Sequence, residues 1–331
     1  MANVYLTEQG AVLHKVRGRL VVEKNGAVLL EVLTRKLDTV LVFGNVQVTT
    51  QALAELLDQG IELALFSRSG KLRGQLTPPK ARNIPLRMRQ YELAHTEGPC
   101  LELAREVVRC KIANSAAVLR RYRRNHPEAI APEAIDALDQ SAATAAGAPS
   151  PETLRGIEGA AAARYFDLFG ALLPGDIGFA GRNRRPPRDP VNALLSFGYV
   201  LVGNELQSLL DGMGFDPYLG FFHGIDYGRP SLALDLLEEF RAALVDRWTA
   251  TLLNLKVLDS SDFFTTPEGG VLLGRAGMQR YFPAYEKELT TPFASEGADN
   301  LSFRHLFRRQ AERLARSLTE GEPYRGFLLP C

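Results

Sequence analysis

Pro78-Pro79-Lys80-Ala81-Arg82-Asn83-Ile84-Pro85 separates two different kinds of sequence. Three prolines in eight residues break any regular element, because proline fixes φ and lacks an amide hydrogen. Upstream, apolar residues come in short β-branched runs: Val4-Tyr5-Leu6, Ala11-Val12-Leu13, Leu20-Val21-Val22, Val28-Leu29-Leu30 and 39–43, with turn signals at Gln9-Gly10 and Asn25-Gly26. One helix interrupts them at Thr50-Gln51-Ala52-Leu53-Ala54-Glu55-Leu56-Leu57, after which Ile61-Glu62-Leu63-Ala64-Leu65-Phe66 returns to strand. Downstream, Ala, Leu, Arg and Glu recur at helical spacing and predict helices over 86–95, 99–125, 131–145, 151–172, 190–213, 231–257, 275–288 and 301–319. A short hairpin is expected near 265–273, turning at Glu268-Gly269-Gly270. The fold class expected is α+β, with a small N-terminal β-rich domain over 1–80 and a large all-α domain over 81–331.

The 331 residues carry 39 Lys and Arg against 38 Asp and Glu, so affinity for nucleic acid must come from uneven charge placement. Cys100, Cys110 and Cys331 form no CxxC pair, which argues for a reducing cytoplasm and against a zinc or iron–sulfur cluster. The opening Met1-Ala2-Asn3-Val4-Tyr5 lacks a signal-peptide pattern, and the apolar run over 193–203 is too short to span a bilayer. A cytoplasmic protein with no membrane partner is expected. There is no GxSxG, Walker lysine, HExxH or strand-following GxGxxG motif.

Three constellations carry chemistry. In Leu154-Arg155-Gly156-Ile157-Glu158-Gly159-Ala160 a carboxylate sits between two glycines. Each glycine costs a helix about 1 kcal/mol relative to alanine, so close approach by a backbone or a ligand is expected; a surface glutamate on a tolerant helix is the alternative. Arg182-Asn183-Arg184-Arg185-Pro186-Pro187-Arg188-Asp189-Pro190 places four arginines in a proline-stiffened loop that opens a helix, with Asp189 as cap. Guanidinium forks match phosphate oxygens, though such a run can equally be solvated. In the third, His223 follows Phe215-Asp216-Pro217-Tyr218-Leu219-Gly220-Phe221-Phe222 and leads into a helix bearing Asp235, Glu238, Glu239 and Arg241. Asp235 is i, i+3 and i+4 to the two glutamates, an arrangement that repels itself unless a cation is near; Arg241 could be that cation in a simple salt bridge. Carboxylates with one imidazole suit Mg²⁺ or Mn²⁺, and no thiolate points to zinc. Two basic stripes, Arg105, Arg109, Lys111, Arg120, Arg121, Arg123 and Arg124, then Arg304, His305, Arg308, Arg309, Arg313 and Arg316, could track phosphates or be ordinary solvated faces.

Taken in order, these segments resemble the first, universal CRISPR-associated protein family, the integrase and endonuclease of spacer acquisition. The resemblance runs over essentially the whole chain. It is carried by Gly156-Ile157-Glu158-Gly159, by Arg184-Arg185-Pro186-Pro187 with Asp189-Pro190-Val191-Asn192-Ala193-Leu194-Leu195-Ser196-Phe197-Gly198-Tyr199, and by the stretch from Tyr218-Leu219-Gly220 to Glu238-Glu239-Phe240-Arg241. It implies that Glu158, His223 and Glu238 are catalytic metal ligands, with Asp235 contributing, and that Mg²⁺ or Mn²⁺ is the cofactor. It further implies DNA contacts from Arg182, Arg184, Arg185, Arg188, Asn192 and Arg241. The family pattern implies a homodimer formed through the β-rich domain and a heterohexamer with the small second CRISPR-associated protein on double-stranded DNA. The activity implied is joining of short duplexes into a repeat array by 3′-hydroxyl transesterification. A structure-specific endonuclease for branched DNA and a non-catalytic DNA-binding scaffold are the rivals.

Overall fold

The computed structural model describes residues 2–68, 70, 72–77, 83–183, 186–294 and 300–330. Residues 78–82 of the proline-rich stretch lie outside the described residues, as do Arg184 and Arg185. An N-terminal β-sheet region is followed by a largely helical one. The strands and helix of the first part are β1 (Ala2–Leu6), β2 (Val12–Val16), β3 (Arg19–Lys24), β4 (Ala27–Leu33), β5 (Leu37–Phe43), β6 (Gln47–Val48), α1 (Thr50–Asp58), β7 (Glu62–Phe66) and β8 (Leu72–Leu76).

They form two four-stranded sheets, ordered β1-β5-β7-β8 and β4-β3-β2-β6. β1, β5 and β7 run parallel and β8 closes antiparallel, while β2, β3 and β4 form an antiparallel meander. Asn25 and Gly26, at φ 52° and 80°, turn β3 into β4 with the left-handed geometry that a two-residue hairpin needs. Thr49, one residue before the expected helix start, caps α1 by accepting from the Ala52 amide at 3.3 Å. The core draws Leu13, Leu20, Val22, Val40, Val42, Leu56 and Leu63 from both sheets and α1.

The helical part comprises α2 (Ile84–Ala94), α3 (Glu97–Asn125), α4 (Pro132–Ala146), α5 (Pro151–Phe169), α6 (Pro190–Met213), α7 (Ser231–Glu238) and α8 (Arg247–Asn254). Then come a hairpin of β9 (Phe263–Thr265) and β10 (Val271–Leu273), α9 (Arg275–Thr290), a short pair of β11 (Phe293–Ala294) and β12 (Asn300–Leu301), and α10 (Phe303–Glu320). Asn83, Ser150 and Asp189 cap α2, α5 and α6. The predicted helix over 231–257 is broken: α7 passes into a π-helical turn, Arg241–Asp246, before α8. The long α3 packs against α2, α4, α5 and α7, and α6 packs against α7 and α10. Among the described residues α6 is the one helix long and apolar enough to cross a membrane, and Val191, Leu194, Leu195, Leu201 and Val202 along it are buried in the helical core.

The chain groups into two compact units, one of Met1–Lys80 with Leu273–Glu286, the other of Ala81–Leu272 with Lys287–Cys331. Residues 273–286, which the sequence pattern assigns to the all-α domain, therefore belong with the β unit. Phe282 stacks on Tyr5 at 4.2 Å and reaches Phe43 at 5.0 Å, and the Tyr5 hydroxyl donates to Glu286 at 2.5 Å. A helix's apolar face declares that it will be buried, without declaring by which core.

In the helical unit, residues 321–330 run as an extended strap. The buried Asn114 amide on α3 donates to Phe327 O at 2.9 Å and Glu239 O at 2.7 Å, and accepts from the Leu329 amide at 2.8 Å. Glu239 accepts from the Phe327 amide at 2.7 Å and from the Tyr324 hydroxyl at 2.5 Å, and Glu106 accepts from the Gly326 amide at 2.9 Å.

Candidate active site

Glu158 stands on α5 with its flanking glycines facing open space, since a Cβ at Gly156 or Gly159 would meet no atom within 4 Å. No described backbone approaches there, which leaves room for a ligand beside Glu158 and fits equally a surface glutamate on a helix that tolerates glycine. The Glu158 carboxylate pairs with the Lys111 ammonium from α3. The same ammonium lies 2.7 Å from Glu238 Oε2 at the end of α7. In the sequence Lys111 is one member of a basic stripe; its one local signal is a cation between the buried Cys110 and Ile112.

His223 is held by Asp235. Asp235 Oδ2 accepts from the amides of Phe221 at 2.6 Å and Phe222 at 3.0 Å, and Oδ1 accepts from the His223 amide at 2.9 Å and from His223 Nδ1 at 2.7 Å. Such an approach of loop to helix requires glycine at 220, where a Cβ would sit 2.7 Å from Asp235 Oδ2 and 2.8 Å from Ser231 C. An ionised carboxylate only accepts, so Nδ1 carries the proton and Nε2 keeps its lone pair. Nε2 faces Glu238 Oε1 at 3.7 Å. With four donors on its two oxygens, Asp235 has no lone-pair direction left for a metal. In this arrangement Asp235 orients the His223 imidazole.

Glu238 is buried. Burial alone would push its carboxyl up, but the positive charges of Arg241 and Lys111, joined by His223 when it is protonated, overcome this and bring it down to about 2. Its neighbour Glu239 points into the strap instead, and burial pushes it up to about 8 despite hydrogen bonds from Phe327 and Tyr324. Glu238 Oε2 has no aligned hydrogen-bond donor although the Lys111 ammonium is 2.7 Å away, an ion pair without a well-formed hydrogen bond. A buried carboxylate oxygen without a hydrogen bond, a second carboxylate and an imidazole lone pair make a donor set that fits a hard divalent cation. As the side chains stand, with Lys111 between the two glutamates, no three His, Cys, Asp or Glu among the described residues converge closely enough to hold a metal.

The arginine loop divides. Arg182 donates to Asn192 Oδ1 at 2.6 Å and Ser196 Oγ at 3.1 Å. Asn192 is fully buried and donates to Gly181 O at 2.9 Å and Asp189 Oδ2 at 2.6 Å. Both residues staple the loop to α6 in the chain by itself, since a guanidinium or amide serves internal oxygens as readily as phosphates. Arg241 is likewise partly buried, with Nε 2.9 Å from Glu238 Oε1 and its guanidinium 4.4 Å from the Tyr199 ring centre. Arg188 is exposed, and the expected contacts Arg184 and Arg185 lie outside the described residues. In the α3 stripe, Arg105 donates to Ala148 O, Arg109 pairs with Glu106, Arg120 with Asp139, and Arg123 donates to Ile130 O. Those groups tie helices and turns together. In α10, Arg304 pairs with Glu205 and Arg316 with Glu322.

Comparison with known proteins adds three likenesses and a family. The family model described as CRISPR associated protein Cas1 matches residues 4–287. The CRISPR-associated endonuclease Cas1 2 of Rhodospirillum rubrum is 37% identical over 330 residues, spanning 95% of this chain and 94% of that protein. A solved Cas1 protein from Thermotoga maritima superposes with TM-score 0.85 at 26% identity, over 98% of this chain and 99% of that one. A casposase bound to its integration product shares the fold at TM-score 0.88 and 22% identity, over 100% of this chain and 94% of that one.

Proposed function

The chain belongs to the Cas1 family of CRISPR-associated proteins, and on that footing we propose that it is a metal-dependent DNA endonuclease and integrase. It joins short double-stranded DNA into a repeat array, the 3′-hydroxyl of the incoming duplex displacing a 3′ oxygen at a phosphodiester of the array by in-line transesterification. The observation that carries this is the meeting of Glu158 and Glu238 on one cation, with His223 Nε2 turned toward Glu238.

Glu158, His223 through Nε2, and Glu238 would hold Mg²⁺ or Mn²⁺. When bound, such an ion supplies Lewis acidity at the phosphoryl oxygen and eases formation of the attacking alkoxide. Asp235 holds the imidazole in the tautomer and orientation that leave Nε2 free. In the ion's absence Lys111 bridges the two glutamates and, with Arg241 on Glu238, offsets their charge, and its flexible stem allows the ammonium to withdraw toward a phosphate oxygen. Arg188, with Arg184 and Arg185, supplies guanidinium groups that set the DNA backbone in register without reading bases.

The homodimer forms through the β unit. Val28, Leu29 and Leu30 on the edge strand β4 are 60%, 50% and 38% exposed, an open apolar edge of the kind proteins cover. Two such dimers flank a dimer of the small second CRISPR-associated protein, and the assembly works in the cytoplasm.

A second reading has one observation in its favour. The Lys111 ion pairs satisfy the glutamates without any metal, as a non-catalytic DNA-binding scaffold would require. Incubation of the protein and its small partner with labelled duplexes and a supercoiled repeat plasmid in Mn²⁺ or Mg²⁺, beside His223→Ala, separates the cases. Joined products from the wild type alone are expected. Cleavage without joining selects the branched-DNA endonuclease, and DNA binding with no chemistry in either protein selects the scaffold.

A further inference from the structure

Arg241 poses a problem for the centre just described. It lies three residues beyond Glu238, and a guanidinium grips a carboxylate most strongly with two parallel N–H bonds. Closed in that way it would take both Glu238 oxygens and set a fixed positive charge where a divalent ion is to sit. The observed contact is not of that kind. Arg241 Nε approaches Oε1 alone, at 2.9 Å and without hydrogen-bond alignment, and Oε2 accepts no hydrogen bond.

We propose that Tyr199 and Asp246 are positioning residues that keep Arg241 on Oε1 and off Oε2, the oxygen of Glu238 turned to Lys111 and so toward Glu158, an inference that rests on the metal centre proposed above. The guanidinium lies 4.4 Å from the Tyr199 ring centre, within the range of a cation–π contact. Tyr199 is fixed in turn by donating its hydroxyl to Asp246 Oδ1. Asp246 is 1% exposed; burial pushes its carboxyl up to about 6, opposed by Tyr199 and Arg241. No step of the proposed reaction uses this buried acid, and the tether gives it a purpose.

The local backbone supplies the geometry. Arg241 and Asp246 begin and end the π-helical turn. On an α-helix, residues five apart point about 140° away from each other. The wider i→i+5 pattern brings them to one side, so the carboxylate that anchors Tyr199 and the arginine that Tyr199 restrains face the same cavity. That cavity is lined by Lys111, Glu158, Tyr165, Tyr199, Arg241 and Asp246, so the tether shares it with Glu158 and reaches Glu238 through Arg241. Arg182, 5.5 Å from the same ring centre, adds a second cation against it.

The test measures Mn²⁺ affinity of the full-length protein by electron paramagnetic resonance, independently of DNA joining. Tyr199→Leu frees the guanidinium and is expected to weaken Mn²⁺ binding roughly tenfold, the lower end for a group that supports a ligand. Arg241→Gln should bind Mn²⁺ at least as tightly as the wild type, and Tyr199→Leu made in that background should have no further effect. A general packing role would instead weaken binding equally in both backgrounds. Asp246→Leu, which keeps the branched shape but removes the acceptor of the Tyr199 hydroxyl, carries the same cycle should Tyr199→Leu fail to fold. Wild-type affinity in Tyr199→Leu, or additive losses in the double variant, overturns the tether while leaving the metal centre intact if Glu158→Ala still abolishes binding. Failure of the wild type to bind Mn²⁺ overturns both.

Discussion

Replacing Asp235 by asparagine tests whether that residue orients His223 or ligates the ion itself. The substituted amide would keep one oxygen and turn an NH₂ group toward two of the four N–H donors that converge on the native carboxylate. Two hydrogen bonds to a charged group are lost, each worth about 1.5–3 kcal/mol, so some 3–6 kcal/mol of the force holding the loop disappears. Part is recovered as the loop relaxes, and what reaches the ion is a misplaced Nε2. Loss of a partner of this kind costs roughly 10–100-fold in metal affinity. Isothermal titration with Mn²⁺ should show that loss in Asp235→Asn. In a His223→Ala background the same substitution should cost almost nothing more, because Asp235 acts through the imidazole. A ligand in its own right would add its full loss there, and that result would refute the assignment.

Gly220→Ala should lower thermal stability by about 1–3 kcal/mol and weaken Mn²⁺ binding together, since the new methyl meets Asp235 and Ser231 inside van der Waals range; a fully stable variant with native affinity would contradict the close approach. The Glu239 carboxyl is raised to about 8 in the folded chain from an ordinary 4.5, so the unfolded state loses its proton first. Stability contributed by this group therefore falls as pH rises from about 4.5 to 8, and urea unfolding at pH 5 and pH 8 should show a smaller decline in Glu239→Gln. Leu29→Lys on the β4 edge should convert the proposed dimer to monomer in light scattering without altering the far-ultraviolet circular dichroism; an unchanged mass would place the dimer interface elsewhere.

Much of the architecture is legible in the sequence because each element obeys its own period. The β-branched runs before residue 77 form strands, and Asn25-Gly26 makes the hairpin that its positive-φ preference predicts. His223 and Glu238 are readable as partners, and the structure brings Nε2 to 3.7 Å from Oε1. What escapes a linear reading depends on which surfaces meet. Lys111 looks like any helix arginine or lysine until α5 and α7 bring Glu158 and Glu238 onto it. The bonds that join Arg182 and Asn192 to each other, to Ser196 and to Gly181 depend on how the loop folds onto α6. The π-helical turn after Glu239 is invisible to an apolar periodicity that runs on through 231–257, and with it the side-by-side placement of Arg241 and Asp246.

The strap of residues 321–330 has a consequence for biosynthesis. Asn114 and Glu239 frame the ground behind Glu238, yet their partners Phe327 and Leu329 lie 213 and 215 residues beyond Asn114. A nascent chain that has already made α3, α5 and α7 still holds an amide and a carboxyl that cannot be buried without loss. Each such unsatisfied group costs about 1–3 kcal/mol, so the helical unit stays loose on the ribosome until residue 329 has emerged. The acidic cluster is thus among the last features to form, and a half-made polypeptide in a cell full of its own DNA would carry no assembled form of the proposed centre.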